Sequence, residues 1–123
     1  MWKVAIELAR PKNVVIAAFT VPLGAHLAIS GDWNYDVVGV VAIQTLSVVM
    51  FMAAGNTLND VADKSIDKIA KPHKPLPSGR ISPEQATRLA YMFIVSSAIL
   101  MGIAAYQIAY PLVSIIIWFI AAV

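Results

Sequence analysis

The sequence predicts an all-α protein whose helices cross a membrane several times. Of its 123 residues, 59% are hydrophobic and only 13% are charged, and the mean hydropathy of +0.75 is far above that of a water-soluble domain. The apolar residues form four long stretches, and all nine Lys and Arg residues fall within residues 3–12 and 64–88. We therefore predict a multi-pass transmembrane helical bundle.

The four apolar stretches are the predicted helices of this bundle. A helix needs about 20 mostly apolar residues to cross a hydrocarbon core of about 30 Å, and the first three stretches approach or reach that length. A signal peptide is disfavoured because the first stretch has no short apolar centre followed by a small-residue cleavage site. Three such stretches are also difficult to bury in a small soluble domain. The stretches cover about residues 13–30, 37–55, 86–106 and 112–123.

The fourth stretch has only twelve residues and is still apolar at its last residue, Val123. It carries no signal that ends a helix. We therefore expect residues 1–123 to be the N-terminal part of a single, longer transmembrane domain.

The positions of the cations predict the topology. Residues 31–36 and 106–111, which connect the other ends of the spans, contain no Lys or Arg. Because cytoplasmic connections carry the excess of positive charge, we predict that the N-terminus and a loop at about residues 56–85 are cytoplasmic. The predicted location is the cell membrane.

An acidic segment, NTLNDVADKSID, follows the second span at residues 56–67. At 3.6 residues per turn, four of its polar side chains fall within about 60° around a helix axis. They form a stripe about three turns long, and Asn59 lies beside it. The stripe residues are Asn56, Asp60, Asp63 and Asp67.

Two interpretations of this stripe are open from the spacing alone. Clustered carboxylates suit hard cations such as Mg²⁺, which often bridges protein carboxylates to substrate phosphates. Alternatively, the stripe is a solvated helix end whose carboxylates pair with Lys64, Lys68 and Lys71. A calcium-binding loop is excluded because the ligand spacing, the loop glycine and the final glutamate are all wrong. The chain has no cysteine, so a thiolate metal site and disulfides are excluded as well.

A basic, proline-rich segment comes next, DKIAKPHKPLPSGRISPEQA at residues 67–86. Its four prolines prevent a continuous helix. Ser82, Pro83 and Gln85 together match an N-cap, a first helical position and a capping box, so the third spanning helix is predicted to begin here. The cations of this segment are suited either to the other side of a polyanion or to anionic lipid head groups.

The acidic motif joined to KPHKPLPSGRIS closely resembles the first signature of the UbiA-type intramembrane prenyltransferases. The early RPKN at residues 10–13 also resembles the start of the first helix in that family. The resemblance covers nearly the whole chain. It implies a bundle of nine transmembrane helices with two facing aspartate-rich motifs, of which this chain would supply about four helices and the first motif.

The resemblance also implies site residues and ligands. The four stripe residues would bind Mg²⁺ and the diphosphate of a prenyl donor, with Asn59 in support. Lys68, Lys74 and Arg80 stand where diphosphate-binding cations are expected, and Arg10 stands near the expected acceptor. Lys64, Lys68 and Lys74 replace the arginines more usual in the family, which keeps the charge but loses the bidentate fork.

Within the family, motif and loop are most similar to the branch that transfers a geranylgeranyl group to geranylgeranylglyceryl phosphate in archaeal-type lipid biosynthesis. The implied partners are a prenyl diphosphate, a lipid-soluble acceptor and membrane lipids, and no nucleic acid. Two alternatives remain open at this point: an enzyme with an aromatic acceptor of the quinone, chlorophyll or tocopherol type, and a truncated, non-catalytic membrane module. The sequence does not indicate an oligomeric state.

Overall fold

The computed structural model describes residues 1–28, 30, 33–107 and 116, and every regular element within these residues is an α-helix. The predicted all-α class is confirmed for this part of the chain. The helices are α1 (Trp2–Ala9), α2 (Pro11–Ala28), α3 (Tyr35–Ala62), α4 (Lys64–Ala70) and α5 (Pro83–Tyr106).

Helix α3 is the centre of the fold, because each of the other four helices contacts it. Its 28 residues correspond to about 42 Å at 1.5 Å per residue, which is more than the hydrocarbon core of about 30 Å. The polar C-terminal turns of α3 can therefore extend beyond the apolar layer. These turns carry Asn56 and Asp60 of the predicted stripe.

Helices α3 and α5 have the length and composition of membrane spans. Their most apolar 18-residue windows have mean hydropathies of 2.2 and 1.9, yet only 22% and 28% of these windows is buried by the rest of the structure. Apolar surface left so uncovered is typical of a protein in contact with lipid or with further helices. The chain is therefore part of a membrane protein.

The first and fourth predicted spans stay predictions. Helix α2 has 18 residues and contains Pro22, and its role as a membrane span stays a prediction. The predicted fourth span, residues 112–123, lies outside the described residues apart from residue 116.

The structure differs from the predicted loop at residues 56–85. Helix α3 continues to Ala62 and α4 follows after one residue, so the non-helical link is confined to residues 71–82. The predicted continuous stripe is also interrupted, because the backbone of Asp63 (φ −83°, ψ 3°) separates α3 from α4. The physical reason is that Asn, Asp and Lys are all tolerated in helices, whereas the first proline comes only at Pro72.

Two buried serines join α3 to α5. Ser47 Oγ donates to the carbonyl oxygen of Ser97, Ser97 Oγ donates to that of Ser47, and both distances are 2.8 Å. Neither serine is exposed. Because each hydroxyl reaches the opposite backbone, the helices approach closely, as small polar residues permit in membranes. We call this contact the serine seam.

The link is held by local bonds and by a small apolar core. The predicted capping box at Ser82 and Gln85 is present, with Pro83 at the first helical position. Gly79 has φ +75°, a conformation that glycine adopts without steric cost. Leu76 and Ile81 are buried against Leu8 of α1, so the first helix lies directly on the link.

Candidate functional site

Four charged residues from four parts of the chain meet at one end of the bundle. Arg10 connects α1 to α2, Asp60 lies in the last turn of α3, Asp67 lies in α4, and Lys74 lies in the link. Their side chains form a connected set of ion pairs. We call these four residues the charge cluster.

Lys74 occupies the middle of the charge cluster. Its Nζ donates to Asp67 Oδ2 at 2.6 Å and to Asp60 Oδ1 at 3.0 Å, while Arg10 Nη2 donates to the same Asp60 oxygen at 2.6 Å. Asp60 and Asp67 are only 4% and 5% exposed. A buried carboxylate without a partner is strongly destabilising, so these two cations offset the cost of burying both carboxylates and hold them in place.

The pKa values of the cluster follow from these bonds. The hydrogen bond from Lys74 lowers the pKa of Asp67 below its usual value. Burial opposes the charge of Lys74, but its hydrogen bonds to Asp67 and Asp60 outweigh that effect and raise its pKa. Both groups are therefore charged throughout the physiological pH range.

The backbone at Arg10 is unusual. Its φ of 56° and ψ of 80° lie in the left-handed region, which is uncommon for residues other than glycine and is disfavoured before a proline such as Pro11. The backbone N–H of Arg10 donates to the carbonyl of Glu7 at the end of α1. The carbonyl of Arg10 accepts a hydrogen bond from the backbone N–H of Asn13 at the start of α2. The sharp change of direction brings the Arg10 side chain to Asp60, and that charged contact offsets a strain of about 1–3 kcal/mol.

The other predicted stripe residues lie outside the charge cluster. Asn56 Nδ2 donates to the carbonyl of Ala9 at 2.8 Å, so this side chain ties the end of α1 to α3. Asp63 is partly exposed, and within the described residues its carboxylate has no ion pair. Asn59 is exposed, and its carbonyl accepts from the Asp63 N–H at 2.9 Å.

Arg80 is held by α1 rather than by the charge cluster. It makes a bidentate contact with Glu7 at 2.8 and 2.9 Å, and it also donates to the carbonyl of His73 and to Ser78 Oγ. All three guanidinium nitrogens are thus engaged. Glu7 could not be predicted from the sequence, because a partner 73 residues away leaves no local pattern that identifies it.

Lys68, the remaining predicted diphosphate-binding residue, is exposed on α4. It lines a shallow surface depression together with Lys64 and Ser65. Among the described residues it forms no ion pair with Asp60 or Asp67. The alternative pairing of the carboxylates with Lys64, Lys68 and Lys71 is therefore replaced by pairing with Arg10 and Lys74.

The donor set of the site suits a divalent metal ion. In the described part of the chain, no three acidic or histidine side chains are already arranged around one metal position. However, oxygens of Asp60 and Asp67 converge on one cationic atom, Lys74 Nζ. Two buried carboxylates that converge on one cation provide oxygen donors of the kind that Mg²⁺ prefers.

The chain is similar to known proteins over most of its length. The profile of the UbiA prenyltransferase family matches residues 14–123. The chain is 38% identical over 98 residues to digeranylgeranylglyceryl phosphate synthase of Methanococcus aeolicus, covering 80% of this chain and 34% of the relative. It is 35% identical over 112 residues to the synthase of the same name from Saccharolobus solfataricus, covering 90% of this chain and 39% of the relative.

A solved structure is similar as well. It comes from work on digeranylgeranylglyceryl phosphate synthase in membranes, and it matches with a TM-score of 0.75 and 28% identity over 81% of this chain and 35% of that one. The chain thus spans about a third of the length of the relatives it matches.

Proposed function

Because the chain belongs to the UbiA prenyltransferase family, we propose that the protein containing it transfers a prenyl group from an allylic diphosphate to a lipid acceptor. The observation that carries this proposal is the convergence of Asp60 and Asp67 on one cation at distances of 3.0 and 2.6 Å. A site with this geometry can bind a divalent metal ion together with a polyanion.

Asp60, Asp63 and Asp67 would hold Mg²⁺ in this proposal. When bound, Mg²⁺ would stabilise the negative charge of the leaving diphosphate. Lys74 and Arg10 belong to the same cluster and can donate to phosphate oxygens. Lys68 is exposed next to the cluster and is available for a longer-range contact, whereas Arg80 acts mainly by holding the link to α1.

The proposed transfer breaks one bond and forms another at C1 of the prenyl group. The bond between C1 of the prenyl group and the diphosphate oxygen breaks, and its electron pair leaves with the diphosphate. An acceptor hydroxyl oxygen then forms the new bond to C1, and its proton passes to the diphosphate or to water. Because water competes with the acceptor, an apolar membrane environment favours the transfer.

The acceptor that we propose is geranylgeranylglyceryl phosphate, with geranylgeranyl diphosphate as the donor. Support comes from the relatives of 35–42% identity that carry the name digeranylgeranylglyceryl phosphate synthase. An aromatic acceptor is the second candidate for the family, and a non-catalytic membrane module is the third. A direct competition between a lipid and an aromatic acceptor distinguishes the first two.

The proposed activity is tested with the full-length protein in detergent micelles. Labelled geranylgeranyl diphosphate is supplied with Mg²⁺ and either geranylgeranylglyceryl phosphate or an aromatic acid acceptor. We expect product only with the lipid acceptor, and none after chelation of the metal. Product with the aromatic acid alone would replace the proposed acceptor, and no product with either would favour the non-catalytic module.

Substitutions at the carboxylates connect this activity to the site. We expect Asp63→Asn and Asp67→Asn each to lower kcat by at least about a hundredfold, because each removes charge from the metal site. Asp36→Asn is the matched control, since Asp36 lies in the first turn of α3, about 36 Å along the helix from Asp60. Full activity in both site variants would contradict the assignment.

We also propose that the charge cluster faces the cytoplasm. Residues 1–123 contain no cysteine. In a full-length protein from which any other cysteine has been replaced by serine, single cysteines can be introduced at the exposed positions Ser78, in the link, and Tyr35, at the opposite end of α3. In intact cells, an impermeant thiol reagent should label the cysteine at 35 and not the one at 78. The reverse pattern would invert the proposed topology.

A further inference from the structure

We propose that Lys74 is an internal counter-ion, which holds Asp60 and Asp67 together before a divalent metal ion binds and then moves to the diphosphate. This inference rests on the proposed function, since it assigns a regulatory role to a residue of the same site. It concerns the order in which cations occupy the two carboxylates.

The geometry leaves no room for a metal ion on the Asp60 oxygen that already accepts from Lys74 and Arg10. Asp60 Oδ1 already accepts hydrogen bonds from Lys74 Nζ at 3.0 Å and from Arg10 Nη2 at 2.6 Å. Mg²⁺ requires oxygens at about 2.0–2.1 Å in near-octahedral geometry. A metal ion that binds the two oxygens now joined by Lys74, Asp60 Oδ1 and Asp67 Oδ2, must therefore displace the ammonium.

The charges favour the same exchange. Before metal binding, the two carboxylates are balanced by the two cations of the charge cluster. A bound divalent ion adds two positive charges, which repel the neighbouring ammonium. The diphosphate brings negative charge to the same place, so Lys74 exchanges carboxylate oxygens for phosphate oxygens.

The link allows the side chain of Lys74 to move while its backbone stays fixed. The Lys74 carbonyl accepts from both the N–H and the Oγ of Ser78, and the next two residues, Pro75 and Leu76, are buried. The Lys74 side chain is 18% exposed, and lysine has a flexible four-carbon stem with freely rotating donors. Arg10, in contrast, is positioned by a fixed left-handed backbone.

Metal binding without substrate provides the test. We would titrate the full-length protein with Mn²⁺ alone and follow free Mn²⁺ by electron paramagnetic resonance. Lys74→Gln should bind Mn²⁺ about tenfold more tightly than the wild type, because it removes the competing cation. Lys71→Gln is the matched control: it removes a nearby exposed charge that makes no ion pair with either carboxylate within the described residues, and it should change the affinity by less than about twofold.

A measurement on the wild-type protein avoids any folding defect of the variant. We would follow acetylation of lysine side chains by mass spectrometry with and without Mn²⁺. Modification of Lys74 should accelerate at least about threefold when Mn²⁺ is added, because the ammonium leaves its carboxylates. Modification of Lys71 should be unchanged.

The outcomes separate this inference from the proposed function. Mn²⁺ binding to wild type with equal or weaker binding to Lys74→Gln, or a Lys74 modification rate unaffected by Mn²⁺, overturns the counter-ion role while prenyl transfer stands. Absence of Mn²⁺ binding in wild type overturns the counter-ion role and the metal site together. Tighter binding to Lys74→Gln in a protein without transfer activity supports the counter-ion and overturns the enzyme assignment.

Discussion

The serine seam and the charge cluster both join distant parts of the chain, but they do so with opposite chemistry. At the seam, two neutral hydroxyls bond to two backbone carbonyls and all four groups are buried. In the charge cluster, two carboxylates from α3 and α4 are held by cations from two other segments. The first arrangement has partners fixed by the helices themselves, whereas the partners of the second can be exchanged.

This difference indicates how stability and function are divided in the molecule. Neutral bonds between helices contribute about 1 kcal/mol each in membranes and are unaffected by metal or salt. Ion pairs with buried carboxylates are strongly coupled, because the removal of one partner leaves an unbalanced charge. We therefore expect the seam to act as a permanent scaffold and the charge cluster to respond to ligands.

The largest effect should come from the removal of both cations from the charge cluster. The double substitution Arg10→Gln and Lys74→Gln leaves Asp60 buried without a cationic partner, and we expect the free energy of unfolding to fall by about 3–5 kcal/mol. Denaturation in detergent micelles measures this loss. Because Lys74 is also the cationic partner of buried Asp67, adding both Asp60→Asn and Asp67→Asn should restore most of the loss. Failure of that rescue would mean that the lost packing of the long side chains, not the unbalanced charge, is responsible.

A smaller effect should come from overfilling the serine seam. Ser97→Leu places a larger apolar side chain at a fully buried position. We expect the resulting strain to lower the free energy of unfolding by about 1–3 kcal/mol. Ser96→Leu is the matched control, because Ser96 is the exposed neighbour on α5 and should change the unfolding free energy little. Equal effects of the two substitutions would show that the seam is less tightly packed than its hydrogen bonds indicate.

The smallest effect should come from Glu7, which is exposed and pairs with Arg80 of the link. The hydrogen bond from Arg80 holds the pKa of Glu7 below its ordinary value of 4.5. The contribution of Glu7 to stability is therefore complete above pH 4.5 and is lost as the pH falls through the lowered pKa. Glu7→Gln should reduce the melting temperature slightly at pH 7 and not at all at the acidic limit.

Ser47→Ala in the serine seam is the control variant, because it should lower the melting temperature by about the same amount at both pH values. A Glu7→Gln effect that persists at low pH would indicate that the contact with Arg80 depends on packing or neutral hydrogen bonds rather than charge. Exposed ion pairs of this kind are expected to be weak.

Local features of the molecule could be predicted from sequence because their partners are close along the chain. The capping box at Ser82 and Gln85 depends on residues three positions apart, and it is present. The all-helical class follows from long apolar stretches, which need no knowledge of tertiary contacts. The end of α3 was harder to place, because the break at Asp63 contains neither proline nor glycine.

The partners of the site residues could not be predicted in the same way. Asp60 and Asp67 are in the predicted stripe, but Arg10 reaches Asp60 across 50 residues, after a left-handed turn that no propensity predicts for arginine. Arg80 was expected near a diphosphate and is instead engaged by Glu7. Charge pairing over such distances depends on the folded backbone, and the sequence pattern supplies only the candidates.

The packing of α1 also has a consequence for the timing of synthesis. Leu8 leaves the ribosome well before the buried residues that enclose it, which include Leu76, Ile81 and Ala86. At about 5–20 residues per second, the roughly 80 intervening residues take about 4–16 s to be made. During that interval the apolar side of α1 must be shielded by the lipid surface or by a chaperone, so the apolar core beneath α1 is completed only after the third long helix has begun to emerge.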